Sequence, residues 1–174
     1  MGKTRKRLGV LTGGGDCPGL NAVIRAVVKT AENEYGMEVV GFLDGYEGLV
    51  QNRFKVLDMK DVPGLLSRGG TILGSSNRAD PFRFPVLQGD DYVYLDRSTE
   101  TVMNFESLGL NGLIAIGGDG TMAASAQLAE KGLPIVGVPK TSTGWDVTWL
   151  DRQAGWLDGS AYPTWNGNSV ITGH

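Results

Sequence analysis

LGVLTGGGDCPGLNAVIRAVV, residues 8–28, runs from a short apolar stretch through a glycine-rich turn into a periodic apolar face. Residues 8–12 (LGVLT) predict a buried strand, because they are short, apolar and closed by glycines. Beyond the turn, Leu20, Val23, Ile24, Val27, Val28 and Ala31 share one face of a helix. Glycines between a strand and a helix let the backbone bring its N–H groups up to a phosphate, and the helix N-terminus adds a favourable dipole. Asp16 suits either a metal-bound water or a helix cap, while Asn21 and Arg25 project from the first turns of the helix. A single turn of this kind serves equally well as a structural connection that binds nothing.

The same rhythm continues along the chain. Residues 38–43 (EVVGFL) predict a second strand, followed by a turn at DGYEGL. FKVLD and residues 62–66 predict a short strand and a short helix leading into RGGTILGSSNR, residues 68–78. Residues 99–108 predict a helix, residues 112–116 (GLIAI) a strand, GGDG a turn, and residues 121–131 a helix with Met122, Ala126 and Ala129 on one face. Residues 133–138 (LPIVGV) predict a last strand. Strand and helix thus alternate from about residue 8 to 138, which predicts a Rossmann-like three-layer α/β/α domain on a mostly parallel sheet. In such sheets ligands lie at the carboxyl ends of the strands, where the glycine turns can converge.

The bulk properties agree with one ordinary domain. The chain has 174 residues, 41% of them hydrophobic and 20% charged, as in soluble globular proteins rather than disordered ones. A formal net charge of −3 argues against a dedicated nucleic-acid binder. The opening MGKTRKR is a short basic run with no long apolar segment behind it, so neither a secretory signal nor a membrane partner is expected. Cys17 stands alone and cannot form an internal disulfide, which fits a reducing cytoplasm.

IGGDGT, residues 116–121, repeats the strand–glycine–helix arrangement. Asp119 lies between glycines at the end of a buried strand, a natural position for a Mg²⁺ ligand or for a helix cap. Two such turns in one array strengthen a phosphate reading that one alone leaves weak. In the middle stretch Gly69, Gly70 and Gly74 are flanked by Arg68 and Arg78, and an arginine beside a glycine loop can pair with phosphate oxygens through two N–H groups.

GVLTGGGDCPGLNAVIRAVV, RGGTILGSS, IGGDGT and GLPIVGVPKT occur in an order and at a spacing that resemble the N-terminal, nucleotide-binding part of the phosphofructokinases. The GGDGT turn alone is also similar to NAD kinases and diacylglycerol-type lipid kinases; the first loop separates them. The resemblance covers roughly residues 7–141. It implies phosphoryl transfer from ATP to the 1-hydroxyl of fructose 6-phosphate, with Mg²⁺ as the metal, in a cytoplasmic homo-oligomer, a dimer or a tetramer. It implies that Gly14 and Gly15 approach the transferred phosphates, that Gly118, Asp119, Gly120 and Thr121 cradle the nucleotide, and that Asp119 holds the metal. It places Asn77 and Arg78 where the family contacts ATP, with Asn77 aligned to the family's usual arginine. Lys140 and Thr141 fall in the catalytic turn. The donor signature is mixed: Gly120 leaves room for ATP where pyrophosphate-using members resemble GGDD, whereas Lys140 matches their PKT. Steric exclusion by the acid is the stronger filter, which favours ATP. Arg25 resembles an effector-site arginine and equally suits a solvated helix.

The pattern breaks after Thr141. The family continues PKTIDND, whose first aspartate is the general base; here that register holds Thr143, and a hydroxyl does not take a proton at neutral pH as a carboxylate does. Asp146 is displaced from the register. Residues 142–174 contain no lysine or glutamate, and the chain's four tryptophans appear only from residue 145 onward. Three explanations fit: a tryptophan-rich insertion, a small β-rich extension, or a coding interruption, of which the abruptness favours the last. The expected organisation is a nucleotide-binding domain over residues 1–141 and an off-pattern segment over 142–174, without the family's second domain and with little or no catalytic activity.

Overall fold

The computed structural model describes residues 5–140. Its elements follow the chain as β1 (Arg7–Thr12), α1 (Leu20–Asn33), β2 (Glu38–Phe42), α2 (Tyr46–Val50), β3 (Phe54–Leu57), β4 (Phe84–Gln88), β5 (Asp91–Leu95), α3 (Ser98–Ser107), β6 (Leu110–Gly117), α4 (Asp119–Glu130) and β7 (Ile135–Pro139). A five-stranded sheet has the order β3-β2-β1-β6-β7. β1 pairs in parallel with β2 on one side and β6 on the other, β6 pairs in parallel with β7, and only β3 runs antiparallel.

This order fixes the layers. The β1–α1–β2 and β6–α4–β7 crossovers leave the middle of the sheet in opposite directions. Because parallel crossovers are right-handed, their helices cover opposite faces. α1 buries Leu20, Ile24, Val28 and Ala31 and packs against β1 and β2. On the other face, Leu11, Val40, Phe42, Leu113 and Ala115 form one core with Tyr46 and Leu49 of α2, Phe105 of α3, and Ala124 and Leu128 of α4. Val10 and Leu11, adjacent on β1, are both fully buried, as a strand covered on both faces requires. The sheet is therefore doubly wound, and the strand order reverses between β1 and β6. Arg7 staples the opposite end: its Nε donates to Glu38 Oε1 at 2.6 Å and its Nη1 to the Leu108 carbonyl at 2.7 Å.

Several local expectations are corrected. DGYEGL is not only a turn, since burial of Tyr46 and Leu49 winds residues 46–50 into α2. The helix expected at 62–66 is a turn and a single 3-10 turn, Leu65–Ser67, because Pro63 pushes Val62 out of the helical region. α4 begins at Asp119, so half of the expected GGDG turn is helix, and its buried face is Thr121, Ala124, Ser125 and Leu128. Met122, Ala126 and Ala129 lie half-buried on its flank, since the glycine turns draw Thr121 inward. Residues 84–95, for which the periodicity gives no element, form a separate antiparallel hairpin closed by Gly89 and Asp90, with Gly89 at φ +66°. Only Phe84 is buried and β5 is exposed along its whole length, so the alternation that marks a half-buried strand is missing.

α3 is capped from outside its first turn: Asp96 Oδ1 accepts the Ser98 amide at 2.8 Å and the Ser98 hydroxyl at 2.6 Å. These bonds, the hydroxyl's foremost, hold the Asp96 carboxyl below its ordinary value of 3.8. A depressed carboxyl stabilises the fold above its unfolded value, and the contribution disappears as pH falls through the native one. Asp96→Ala is expected to cost about 1 kcal/mol at neutral pH, with the gap to the parent closing below 3.8. Urea unfolding at about pH 7 and about pH 3 checks both parts.

Candidate functional site

The glycine turns following β1 and β6 meet where the strand order reverses, the place at which open α/β sheets form their crevices. Gly13 N donates to the Ile116 carbonyl at 2.8 Å, so the first turn is bonded to the end of β6. Thr121, in the first turn of α4, packs its side chain between the two turns. A methyl group on Gly13 would lie 2.5 Å from Thr121 Oγ1, and one on Gly117 would lie 2.5 Å from Thr121 Cβ. Both positions therefore exclude a side chain.

The middle glycine stretch is drawn in by buried polar groups of β1 and α1. Thr12 Oγ1 donates to the Gly74 carbonyl at 2.7 Å, so the Thr71 hydroxyl, 2.9 Å away, donates to Thr12. Asn21, fully buried, donates to the Arg68 and Gly69 carbonyls and accepts the Ile72 amide at 2.8 Å. Asn21 is thus a clamp on that loop and does not project into the cleft. Gly14 N donates to the Ser76 carbonyl at 3.0 Å, which brings Asn77 to the same opening.

The product is a cleft of about 300 Å³ lined by Gly13 and Gly14, by Tyr46, by Ser76, Asn77, Ala79 and Asp80, and by the turn from Gly118 to Thr121. It holds Gly14, Asn77, Gly118, Asp119, Gly120 and Thr121 of the expected set. Thr121 is the exception in kind, since its side chain is buried between the turns. Gly15 stands at the mouth, where its carbonyl accepts the Lys140 ammonium, and Lys140 N donates to the Gly117 carbonyl at 2.9 Å. Lys140 thereby joins the ends of β1, β6 and β7. Arg78 lines an adjoining larger cleft instead, and Arg68 and Asp16 line neither. Thr141 and Thr143 lie outside the described residues.

The periodicity gave no sign of Tyr46, Ala79 or Asp80. Tyr46 is buried, and because Ser125 Oγ donates to the Thr121 carbonyl at 2.7 Å, the Tyr46 hydroxyl donates to Ser125 at 2.6 Å. Burial pushes this hydroxyl far above the usual tyrosine range, against the Ser125 bond and with help from the Asp80 charge. It therefore stays neutral and ties α2 to α4 beneath the cleft.

The geometry defines a doubly wound α/β domain with a ligand cleft at its switch point. Known proteins narrow this. A family model described as Phosphofructokinase matches residues 7–150. ATP-dependent 6-phosphofructokinase 2 of Streptomyces coelicolor is 48% identical over 150 residues, 86% of this chain and 40% of that protein. ATP-dependent 6-phosphofructokinase 2 of Clostridium perfringens is 49% identical over 137 residues, 78% of this chain and 37% of that protein. Among solved structures, phosphofructokinase from Saccharomyces cerevisiae superposes with a TM-score of 0.63 at 27% identity, over 90% of this chain and 24% of that one. The T-state phosphofructokinase of Pichia pastoris gives 0.62 at 30% identity, over 80% and 15%. The chain belongs to the phosphofructokinase family, and it spans about 40% of the length of the curated relatives it matches.

The packing of Thr121 separates two neighbouring glycines by their environment. A methyl on Gly15 meets nothing within 4 Å, unlike one on Gly13. Gly13→Ala is expected to destabilise by about 1–3 kcal/mol through overpacking, and Gly15→Ala by less than about 0.5 kcal/mol. Urea denaturation of the two variants beside the parent chain checks the contrast.

Proposed function

We propose that residues 1–141 are the N-terminal, nucleotide-binding domain of a 6-phosphofructokinase that moves the γ-phosphoryl group of ATP to the 1-hydroxyl of fructose 6-phosphate in glycolysis. The carrying observation is the convergence of the two glycine turns and the N-terminus of α4 on one cleft. Backbone N–H groups and a helix dipole there suit the β- and γ-phosphates. The names of the relatives support ATP as donor. Gly120 supports it independently, since a side chain there would enter open space in front of the cleft, where an acid would obstruct a nucleotide.

The residues fit a Mg²⁺ ion that arrives with the phosphates. No group of three or more histidine, cysteine or acidic side chains gathers into a metal cage among the described residues. Mg²⁺ commonly takes one or two protein carboxylates and leaves its other positions to water and phosphate. Asp119, exposed at the cleft, would be that carboxylate. When bound, the ion neutralises charge on the transferred group. Lys140 adds a positive charge beside Gly14 and Gly15, and the amides that open α4 would orient the phosphates. The sugar 1-oxygen attacks the γ-phosphorus as the bond to the β-bridging oxygen breaks. The hydroxyl proton needs a base, and Thr143 in that register is not one. On this reading the 174-residue chain binds nucleotide and has little or no turnover. The whole protein is a cytoplasmic homo-oligomer, a dimer or a tetramer. Residues 142–174, whose sequence departs from the family pattern, are not counted as part of that domain.

Lys140 also carries a second reading, in which pyrophosphate is the donor, because its ammonium sits at the first turn where a small polyanion would bind. Assays of the whole protein with each donor separate the two. For the chain itself, calorimetry is expected to show Mg·ATP binding that Asp119→Ala weakens about tenfold, or about 1.4 kcal/mol. A coupled assay is expected to detect no fructose 1,6-bisphosphate, and substantial product would refute the absence of turnover.

A further inference from the structure

The phosphate cleft does not end at Ser76, Asn77, Ala79 and Asp80. These four residues also line a second opening of about 730 Å³, whose other walls are Glu47 and Gln51 of the α2 region, Arg78 and Arg83, and the β4–β5 hairpin through Phe84, Pro85, Tyr92 and Tyr94. The two openings therefore form one continuous groove with a narrow polar end and a wide aromatic end. A volume near 700 Å³ is that of a site for a whole small molecule rather than for a water or an ion.

The aromatic end is organised. Strand pairing sets Tyr94 opposite Pro85 and Tyr92 opposite Leu87, so both rings rise from one face of the hairpin. The guanidinium of Arg83 lies over the Tyr94 ring, 5.5 Å from its centroid. Tyr92 and Tyr94 remain 59% exposed, an unusual state for two aromatic rings on one short hairpin face. Planar guanidinium and phenol groups are the surfaces on which nucleobases stack. Across the groove, Arg53 bonds Glu47 at 2.9 Å, Gln51 Oε1 at 2.9 Å and Asp44 at 3.1 Å. Arg53 thus neutralises the Glu47 carboxylate and leaves the Gln51 amide NH₂ free to meet a polar edge.

We propose that the β4–β5 hairpin is the base-reading wall of the donor site, with Arg83, Tyr92 and Tyr94 stacking the base of a purine nucleotide whose phosphates lie in the narrow end. The proposal rests on the phosphate reading of the glycine turns. It assigns specificity for a nucleotide over an inorganic polyphosphate to a stretch that the glycine motifs do not include. Stacking discriminates by area, so a purine binds more tightly than a pyrimidine, and an inorganic tripolyphosphate gains nothing from the wall.

The full 174-residue chain and a Tyr92→Ala/Tyr94→Ala variant are titrated calorimetrically with Mg·ATP and with magnesium tripolyphosphate, and circular dichroism confirms that the variant is folded. The expected result is a loss of ATP affinity on the order of tenfold, unchanged tripolyphosphate affinity, and restoration of ATP affinity in Tyr92→Phe/Tyr94→Phe. Unchanged ATP affinity in the alanine variant overturns the hairpin assignment and leaves the phosphate reading standing. An equal loss for both ligands also overturns it, because the tyrosines would then act through the fold. Binding of neither ligand by the folded parent chain overturns the phosphate reading, and the proposal falls with it. If the alanine variant does not fold, Arg83→Leu is titrated with the same two ligands, and an unchanged ATP affinity counts against the wall in the same way.

Discussion

The site depends on one piece of packing, the Thr121 side chain wedged between Gly13 and Gly117. Each glycine lacks the atom that would collide with it, and the Gly13 amide bond to Ile116 holds the distance. That contact sets the separation of the two turns and aims the first amides of α4 at the turn after β1. The doubly wound order supplies the place, because adjacent strands whose crossovers diverge leave a gap at their carboxyl ends. The threonine converts that gap into a cleft of fixed width.

Around this centre the polar groups fall into two kinds. Thr12, Asn21, Ser125 and the Tyr46 hydroxyl are buried and fully engaged, and they hold backbone in place. Among the described residues no buried side-chain donor or acceptor lacks a partner. Asp119, Asn77 and Arg78 are exposed at the openings and remain available to a ligand. A framework whose internal polar groups are satisfied, with open ones only where a ligand would lie, is the arrangement a preorganised phosphate site needs.

The fold was legible because its signals are local. Apolar runs ending in glycine and the spacing of Leu20, Ile24 and Val28 report directly on strands and helices covered by a core. The glycine turns were legible for the same reason, and the structure brings Gly14, Gly118, Asp119 and Gly120 together as their positions after parallel strands require. What remained hidden depended on distance in the chain. Asn21 resembles a helix-face residue until the loop it clamps is folded against it, and Tyr46 becomes part of the cleft only when α4 is packed. The hairpin escaped because β5 is exposed on both faces and only Phe84 of β4 is buried, and no periodicity rule anticipates that.

The pairing of β1 with β6 has a consequence for how the molecule is made. Arg7 on β1 is bonded to Asn111 on β6, 104 residues later, and Lys140 reaches a carbonyl 125 residues earlier. A chain emerging from the ribosome can close β1, α1 and β2 at once, since their contacts are near in sequence. The gap beside β1 must then wait for β6, with the apolar edge of a central strand uncovered meanwhile. Loop-closure entropy makes such late parallel pairing slow, and the ligand cleft, which needs the turns after both β1 and β6, is completed late. During synthesis the central strand is thus the segment most in need of shielding by a chaperone.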